Sequence, residues 1–211
     1  MTEPGGHDFR LVSTEDVYQG RILALRLDEV AMPGDRTATR EVVEHLPAVA
    51  IAALDEDGNV MLIHQYRHAI GTRIWELPAG LIDHAAEDPL ETAKRELVEE
   101  AGLAAEHWSV LVDSAVSPGF TDEVVRVYLA TGLSTVDREV LGDEEADLVT
   151  RWVPLDEAVR MTLAGEIVNA ASVGGVLAVL AVRTGAAQPR PADAPWAGRP
   201  TRFADRFRSD G

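Results

Sequence analysis

The sequence predicts a mixed α/β (α+β) protein in which a mixed β-sheet is sandwiched between helices, with an antiparallel β-sheet added at the N-terminus. Three patterns carry this prediction. Apolar and polar residues alternate over 9–46, strand-like segments after residue 47 are almost wholly apolar, and the segment between Pro89 and Gly102 has apolar residues at helical spacing. With 211 residues, 46% of them hydrophobic, the chain can form one full core and an extra lobe.

We expect four regions along the chain. They are a disordered lead (1–8), an N-terminal β-sheet subdomain (9–46), a main domain (47–186) and a Pro/Arg-rich tail (187–211) that is either disordered or draped over the surface. In the subdomain, two alternating segments flank the turn residues Pro33, Gly34 and Asp35. A small sheet of this kind cannot bury its apolar face alone, so it should pack on the rest of the chain or on a second subunit.

The main domain begins with a predicted hairpin, in which AVAIAAL (48–54) and NVMLIHQYRH (59–68) flank a turn at 55–58. WELPAG (75–80) is a short strand. A helix then starts with Asp88 as its N-cap and Pro89 in its first turn, and it ends at Gly102. Further strands are predicted at 107–116, 122–133 and 148–155, and further helices at 156–164 and 167–184.

Composition excludes several classes of partner and chemistry. A formal net charge of −17 disfavours nucleic acid and anionic membranes, because both require a basic surface. The absence of cysteine excludes disulfides, zinc-thiolate sites and thiol nucleophiles. The N-terminus lacks the pattern of a signal peptide, and the apolar run 167–182 is short for a membrane span, so we expect a cytoplasmic protein.

The predicted helix carries an unusual cluster of acids. Glu96 lies three residues before Glu99 and four before Glu100, so these carboxylates project to one side of the helix. Each like-charge pair costs a few tenths of a kcal/mol unless a cation relieves it. A divalent cation of the magnesium type prefers such oxygen ligands. The alternative is a solvated acidic helix face.

The spacing of this segment resembles the signature of the Nudix hydrolases, G-x5-E-x7-R-E-U-x-E-E-x-G-U, where U is aliphatic. The matching residues are Gly80, Glu87, Arg95, Glu96, Leu97, Glu99, Glu100, Gly102 and Leu103. One extra residue lies between Gly80 and Glu87, in the loop before the helix. The resemblance implies a Nudix fold for the main domain and cleavage of a diphosphate with Mg²⁺, or with Mn²⁺ in its place.

The same resemblance implies roles for these residues. Glu96 and Glu100 would be the primary metal ligands, Glu99 would bind a further ion, and the carbonyl of Ala79 would be a backbone ligand. Glu87 and Arg95 would contact these metal ligands and orient them without binding the metal themselves. For Arg95 alone, an ordinary surface ion pair is the alternative.

Residues outside the helix resemble the ADP-ribose pyrophosphatase branch of the family. The resemblance rests on Pro118, sixteen residues after Gly102, and on the strings QYRHAI, WELPAGL and REVVEH. It implies hydrolysis of ADP-ribose to AMP and ribose 5-phosphate by a homodimer joined through the N-terminal sheet. Arg67 would hold the diphosphate. Arg40 and Glu41 would meet the adenine side, from the same or the partner subunit, and Glu76 and Glu123 would contact adenine or ribose. The alternatives are a surface charge for Arg67, a solvated edge residue for Glu76 and a plain turn at Pro118.

The resemblance places the catalytic base on a loop after the last strand pair, which here is GDEEAD. Glu144 is the first candidate and Glu145 the second, and a solvated acidic loop is the alternative. Two other functions stay open. One is hydrolysis of another nucleoside diphosphate compound, such as a nucleotide sugar or a dinucleotide. The other is a non-catalytic, ligand-sensing domain, against which the intact acid set weighs.

Overall fold

A computed structural model describes residues 6–83, 87–137 and 147–207 of the chain. Its strands are β1 (Leu11–Gln19), β2 (Leu23–Met32), β3 (Arg36–His45), β4 (Ala48–Ala53), β5 (Asn59–Arg67), β6 (Thr72–Glu76), β7 (Ala79–Leu81), β8 (Leu103–Ala115), β9 (Val124–Thr135), β10 (Val149–Pro154) and β11 (Arg190–Pro191). The helices are α1 (Pro89–Ala101), α2 (Leu155–Leu163), α3 (Ala170–Arg183) and α4 (Arg202–Asp205), with one turn of 3-10 helix at His68–Ile70.

The described chain divides into two compact units. The N-terminal unit combines residues 6–47, 117–123 and 200–207, and the larger unit comprises the described residues within 48–116 and 124–199. The N-terminal unit is therefore assembled from three separate stretches of the sequence.

The N-terminal unit contains the antiparallel sheet β1-β2-β3. The strands β2 and β3 are joined at the expected turn, where Gly34 and Asp35 have φ angles of 80° and 55°. Every residue of β1 is exposed, including Leu11, Val12, Val17 and Tyr18. The sheet expected from the alternating pattern is confirmed, and its edge strand presents apolar side chains.

A cluster of charges lies in the interior of the N-terminal unit. Glu44 on β3 is fully buried. Its carboxylate pairs with Arg26 of β2, with Arg202 at 2.9 Å and with Arg206 at 2.5 Å. Arg206 also pairs with Asp16 on β1, at 2.6 Å. The last described residues thus join the N-terminal sheet through ion pairs.

The larger unit holds two sheets with strand orders β10-β5-β6 and β11-β8-β9-β4-β7. The β4–β9 pair is parallel and the other pairs of these sheets are antiparallel, so the larger sheet is mixed. Alternate residues of β4 enter two cores. Ala48, Ala50 and Ala52 share one core with Val176 and Val179 of α3, together with Ala158 and Met161 of α2. Val49, Ile51 and Ala53 share the other with Ala93 and Leu97 of α1.

This packing explains why β4 is apolar at every position: both faces of the strand are covered by helices. The predicted layer arrangement, a mixed sheet between helices, is confirmed. In the part of the chain that the structure describes, no helix combines the length and the apolar character needed to cross a bilayer.

The described part of the tail is ordered. Arg190 and Pro191 pair with β8 opposite Val110 and Ser109. Arg126, which is 2% exposed, donates to the carbonyl oxygens of Ala194 at 2.8 Å and Pro195 at 3.2 Å. Of the two alternatives for the tail, disorder is wrong for residues 187–207, because buried arginine and main-chain pairing hold this segment.

Candidate functional site

Helix α1 presents the acids, and its ends form as the sequence predicts. The side chain of Asp88 accepts a hydrogen bond from the Leu90 N–H at 2.8 Å, which satisfies a free donor of the first turn. Gly102 closes the helix with a φ of 64°, a conformation that glycine adopts at low cost. Ala93 and Leu97 are fully buried under the helix. Burial of that face fixes the direction in which Glu96, Glu99 and Glu100 project.

Strand β7 approaches these carboxylates closely. A Cβ atom at Gly80 would overlap the carboxylate of Glu96, so a side chain at this position would force that carboxylate to move. The N–H of the preceding residue, Ala79, donates to Glu100 Oε2 at 2.8 Å. The main chain of β7 therefore positions both predicted primary ligands. Since the extra loop residue follows Gly80, the approach of β7 to the helix is kept despite it.

Arg95 lies at the centre of a group of acids. Its Nη1 is 2.8 Å from Glu96 Oε1 and 3.1 Å from Glu99 Oε2. Its Nε is 3.6 Å from Glu87 Oε1, and its Nη2 is 3.8 Å from Asp83 Oδ1. The alternative of a simple surface ion pair is wrong for Arg95, because one guanidinium contacts four carboxylates.

Two carboxyl groups of the site are held away from water. Glu100 is 8% exposed, and burial raises its pKa to about 8, against the opposing effect of the Ala79 N–H. Burial also raises the pKa of Glu96 to about 7, although Arg95 lies beside it and favours the charged form. A buried carboxylate with too little compensating charge is stabilised by a cation.

The residues present fit a divalent cation of the magnesium type by their chemistry. The set consists of carboxylate oxygens, and Glu87 Oε2 is buried without a hydrogen-bond donor among the described residues. Within 6–83, 87–137 and 147–207, no three acidic or histidine side chains already converge on one point. Arg95 instead contacts Glu96 and Glu99, and the assignment of Ala79, Glu96, Glu99 and Glu100 as ligands stays a prediction.

The side chains of Arg67, the last residue of β5, and Glu76, the last residue of β6, form an ion pair. Arg67 Nε donates to Glu76 Oε2 at 2.8 Å, and the Arg67 side chain is 42% exposed. Glu76 is 1% exposed, so the alternative of a solvated edge residue is wrong. Glu100 lies close enough for both Arg67 and Glu76 to act on its pKa in opposite directions. The predicted diphosphate-binding arginine and a predicted metal ligand thus belong to one site.

Asn169 and Ser172 belong to this site as well, and the sequence reasoning missed them. Asn169 Nδ2 donates to Glu76 Oε1 at 2.6 Å, and its Oδ1 caps helix α3 at the Ser172 N–H, 3.0 Å away. An asparagine just before an apolar helical run is a recognisable N-cap signal. It was missed because we expected the helix to begin at residue 167, whereas it begins at Ala170.

The other predicted substrate contacts lie in the N-terminal unit. Arg40 and Glu41 are exposed on β3. Pro118 lies in a turn, because the Phe120 N–H donates to the Ser117 carbonyl at 3.1 Å. Glu123 lies 3.9 Å from His45. Their roles toward substrate stay predictions. Glu144 and Glu145, the candidate bases, lie outside the described residues.

Comparison with known proteins places the chain among characterised relatives. Residues 44–171 match the model of the NUDIX domain, and residues 9–43 match that of the nucleoside diphosphate sugar hydrolase N-terminal domain. An ADP-ribose pyrophosphatase of Mycobacterium tuberculosis is 58% identical over 95% of this chain and 97% of its own length. A methanol dehydrogenase activator of Bacillus methanolicus is 37% identical over 72% of this chain and 81% of its own.

A solved structure shares the fold. The crystal structure of an ADP compounds hydrolase superposes with a TM-score of 0.75, covering 85% of this chain and 96% of that one. Sequence identity over this superposition is 22%, so the likeness bears on the fold alone.

Proposed function

The chain belongs to the Nudix hydrolase family, and we propose that it hydrolyses the diphosphate of ADP-ribose to AMP and ribose 5-phosphate. The observation that carries the proposal is the 58% identity to an ADP-ribose pyrophosphatase across nearly the whole of both chains. The geometry supports it: an acidic helix, a close main-chain approach at Gly80 and an arginine at the same site suit a diphosphate and a cation.

In this proposal Glu96 and Glu100 hold Mg²⁺, or Mn²⁺ in its place, with Glu99 and the Ala79 carbonyl as further ligands. The cation supplies neutralisation of charge on the diphosphate oxygens and favours ionisation of water. Glu87 and Arg95 orient the ligands: Arg95 contacts Glu96 and Glu99 within 3.1 Å and lies 3.6 Å from Glu87. Arg67 binds the diphosphate through its guanidinium fork.

Hydrolysis also requires a base for the attacking water. We assign this role to Glu144, and to Glu145 as the second candidate. Glu99 of helix α1 is also assigned to the catalytic residues, in addition to its role as a metal ligand. The base accepts a proton from water as the water oxygen forms a bond to phosphorus, and the bridging P–O bond breaks. Replacing Glu144 and Glu145 by glutamine one at a time should give unequal losses of kcat, and equal mild losses would rule out this loop.

The adenosine end is assigned to Arg40, Glu41 and Glu123, with Pro118 shaping the turn before Glu123. The N-terminal sheet would join two chains as a homodimer. Support comes from β1, whose nine residues are all exposed and include Leu11, Val17 and Tyr18. Exposed apolar edges of this kind usually pair with another chain. Light scattering after gel filtration should give the mass of a dimer, and a monomer at micromolar concentration would contradict it.

The proposal includes a cytoplasmic location, since a chain without cysteine needs no oxidising compartment for disulfides. Cell fractionation would test it directly.

A second candidate substrate class is a nucleotide sugar other than ADP-ribose, because residues 9–43 match a domain named for nucleoside diphosphate sugar hydrolases. Steady-state kinetics with Mg²⁺ should separate the two. We expect the highest kcat/KM for ADP-ribose, with release of AMP, and lower values for ADP-glucose, UDP-glucose and diadenosine diphosphate. A higher kcat/KM for one of those compounds would identify that compound as the preferred substrate. If the protein hydrolyses none of the four compounds, a ligand-sensing domain is favoured.

A further inference from the structure

A chain of hydrogen bonds connects the start of helix α3 to the guanidinium of Arg67. Glu76 lies in the middle of this chain and is 1% exposed. One carboxylate oxygen accepts from Arg67 Nε at 2.8 Å, and the other accepts from Asn169 Nδ2 at 2.6 Å. Both oxygens of a buried carboxylate are thereby engaged, one by a charged donor and one by an amide.

The orientation of the Asn169 amide is set by its partners. Its oxygen accepts from the Ser172 N–H at 3.0 Å and from the Ser172 hydroxyl at 3.2 Å, so its NH₂ group must face Glu76. The Ser172 hydroxyl accepts in turn from the Leu77 N–H at 2.9 Å. Since Leu77 follows Glu76 in sequence, the first turn of α3 is bonded to both the main chain and the side chain at the end of β6.

This arrangement determines what Arg67 can present to a ligand. Because Nε–H is used by Glu76, the terminal nitrogens form the fork that remains for an anion. A guanidinium held at one edge loses less conformational entropy when it binds than one that moves freely. The orientation of Arg67 depends on the orientation of the Glu76 carboxylate. Asn169 donates the second hydrogen bond that fixes this carboxylate.

We propose that Asn169 is a positioning residue: through Glu76 it holds Arg67 in the orientation that binds the diphosphate. The inference rests on the proposed function for the identity of the ligand. Asn169 itself does not touch the substrate in this account. It acts on Arg67 through two hydrogen bonds, Asn169 to Glu76 and Arg67 to Glu76. Asn169 is also the N-cap of α3, and a substitution can keep this cap while it removes the amide donor.

The test uses variants that keep the cap. Serine and aspartate both cap helices well, so Asn169→Ser removes only the donor to Glu76, and Asn169→Asp places a second carboxylate against it. We expect the KM for ADP-ribose to rise about 10-fold in Asn169→Ser and more in Asn169→Asp, with kcat within about twofold, as for loss of binding shared by ground and transition states. The melting temperature should fall only slightly in Asn169→Ser, which loses one hydrogen bond, and further in Asn169→Asp, which brings two carboxylates together at a buried position.

A double variant provides the rescue. When Asn169→Asp is combined with Glu76→Gln, the amide introduced at position 76 can donate to the carboxylate at position 169 while its oxygen accepts from Arg67, so the hydrogen-bond chain is restored. We expect KM to recover part of the loss seen in Asn169→Asp. Asn59→Ser is the matched control, because the Asn59 amide donates to Asp55 at 2.8 Å in a turn of the same unit. Its KM should equal that of the wild type.

Binding of ADP with Mg²⁺, measured by calorimetry, separates failure of this inference from failure of the proposed function. If the wild type hydrolyses ADP-ribose and Asn169→Ser has an unchanged KM, the positioning role is wrong and the function stands. If the wild type is inert but binds ADP about 10-fold more tightly than Asn169→Ser, the positioning role stands without the reaction. Equal ADP affinities, or no ADP binding by the wild type, would overturn it.

Discussion

Glu44 in the N-terminal unit and Glu100 in the larger unit are both buried, and they differ in how their charge is compensated. Glu44 in the N-terminal unit is fully buried and pairs with Arg26, Arg202 and Arg206. Glu100 in the larger unit is 8% exposed and accepts a hydrogen bond from a main-chain N–H, and its pKa is raised to about 8 by burial. The chain supplies the positive charge for the first carboxylate, whereas in the proposed function a cation from solution supplies it for the second.

Structural and functional acids differ in how completely their charge is compensated. Complete pairing with arginine makes a buried carboxylate a structural element, since removing one partner leaves uncompensated charge. Incomplete compensation costs stability in the free protein and is a property expected of binding sites. The variants below test this difference at each of the two glutamates.

The largest effect is expected for Glu100→Gln. Loss of a primary ligand should lower kcat for ADP-ribose by about 100-fold or more, the scale of removing one electrostatic stabiliser. Because the variant also removes a desolvated carboxylate, the metal-free protein should melt no lower than the wild type. Steady-state kinetics and thermal denaturation check the two halves. Glu91→Gln is the control on the same helix, since Glu91 is exposed and pairs with Lys94. Full activity in Glu100→Gln would refute the ligand assignment.

Glu44→Gln should show the opposite pattern, a loss of stability as its primary effect. Neutralising the carboxylate leaves Arg26, Arg202 and Arg206 without its charge, which should cost roughly 3 kcal/mol of unfolding free energy. Urea denaturation monitored by circular dichroism measures this loss. Glu15→Gln, an exposed position on β1, should change stability by about 0.5 kcal/mol at most. A stability equal to that of the wild type would mean that the arginine cluster does not depend on Glu44.

The third effect is a pH dependence of the metal-free protein. Burial raises the pKa of Glu96 to about 7 and that of Glu100 to about 8, above the ordinary carboxyl value of 4.5. The folded state therefore retains protons that the unfolded state releases, and this contribution to stability is present at low pH and is lost as pH rises toward 8. Each carboxyl contributes a slope of at most about 1.4 kcal/mol per pH unit.

Thermal melts with EDTA between pH 5 and pH 9 measure this slope. It should be shallower in Glu100→Gln, and added Mg²⁺ should stabilise the wild type more at pH 9 than at pH 5, because the ion binds the deprotonated carboxylates. A pH-independent difference between wild type and Glu100→Gln would contradict the assigned titration.

The fold and the acidic helix could be predicted because their signals are local. Asp88, Pro89 and Gly102 mark the ends of α1 within the sequence, and the apolar residues of β4 are buried on both faces as a central strand requires. The carboxylates three and four residues apart follow from helix geometry alone.

The parts that escaped prediction depend on distant residues. The hydrogen bond between Asn169 and Glu76 joins positions 93 residues apart, and that between Arg206 and Glu44 spans 162. The local sequence pattern indicates that Asn169 is a helix N-cap and that Arg206 belongs to a charged tail. It does not indicate their distant partners, Glu76 and Glu44. The alternative that Glu76 is a solvated edge residue was wrong for the same reason, since only the fold shows that the end of β6 is buried.

The wide separation of Glu44 from Arg206 also has a consequence for synthesis on the ribosome. Translation adds roughly 5–20 residues per second, so the 162 intervening positions separate the emergence of the two partners by on the order of ten seconds. During that interval Arg26 is the one arginine among the partners of Glu44 that has already been synthesised, because Arg202 and Arg206 follow much later. The β1-β2-β3 sheet therefore gains its ion pairs to Arg202 and Arg206 only well after its own strands have been made.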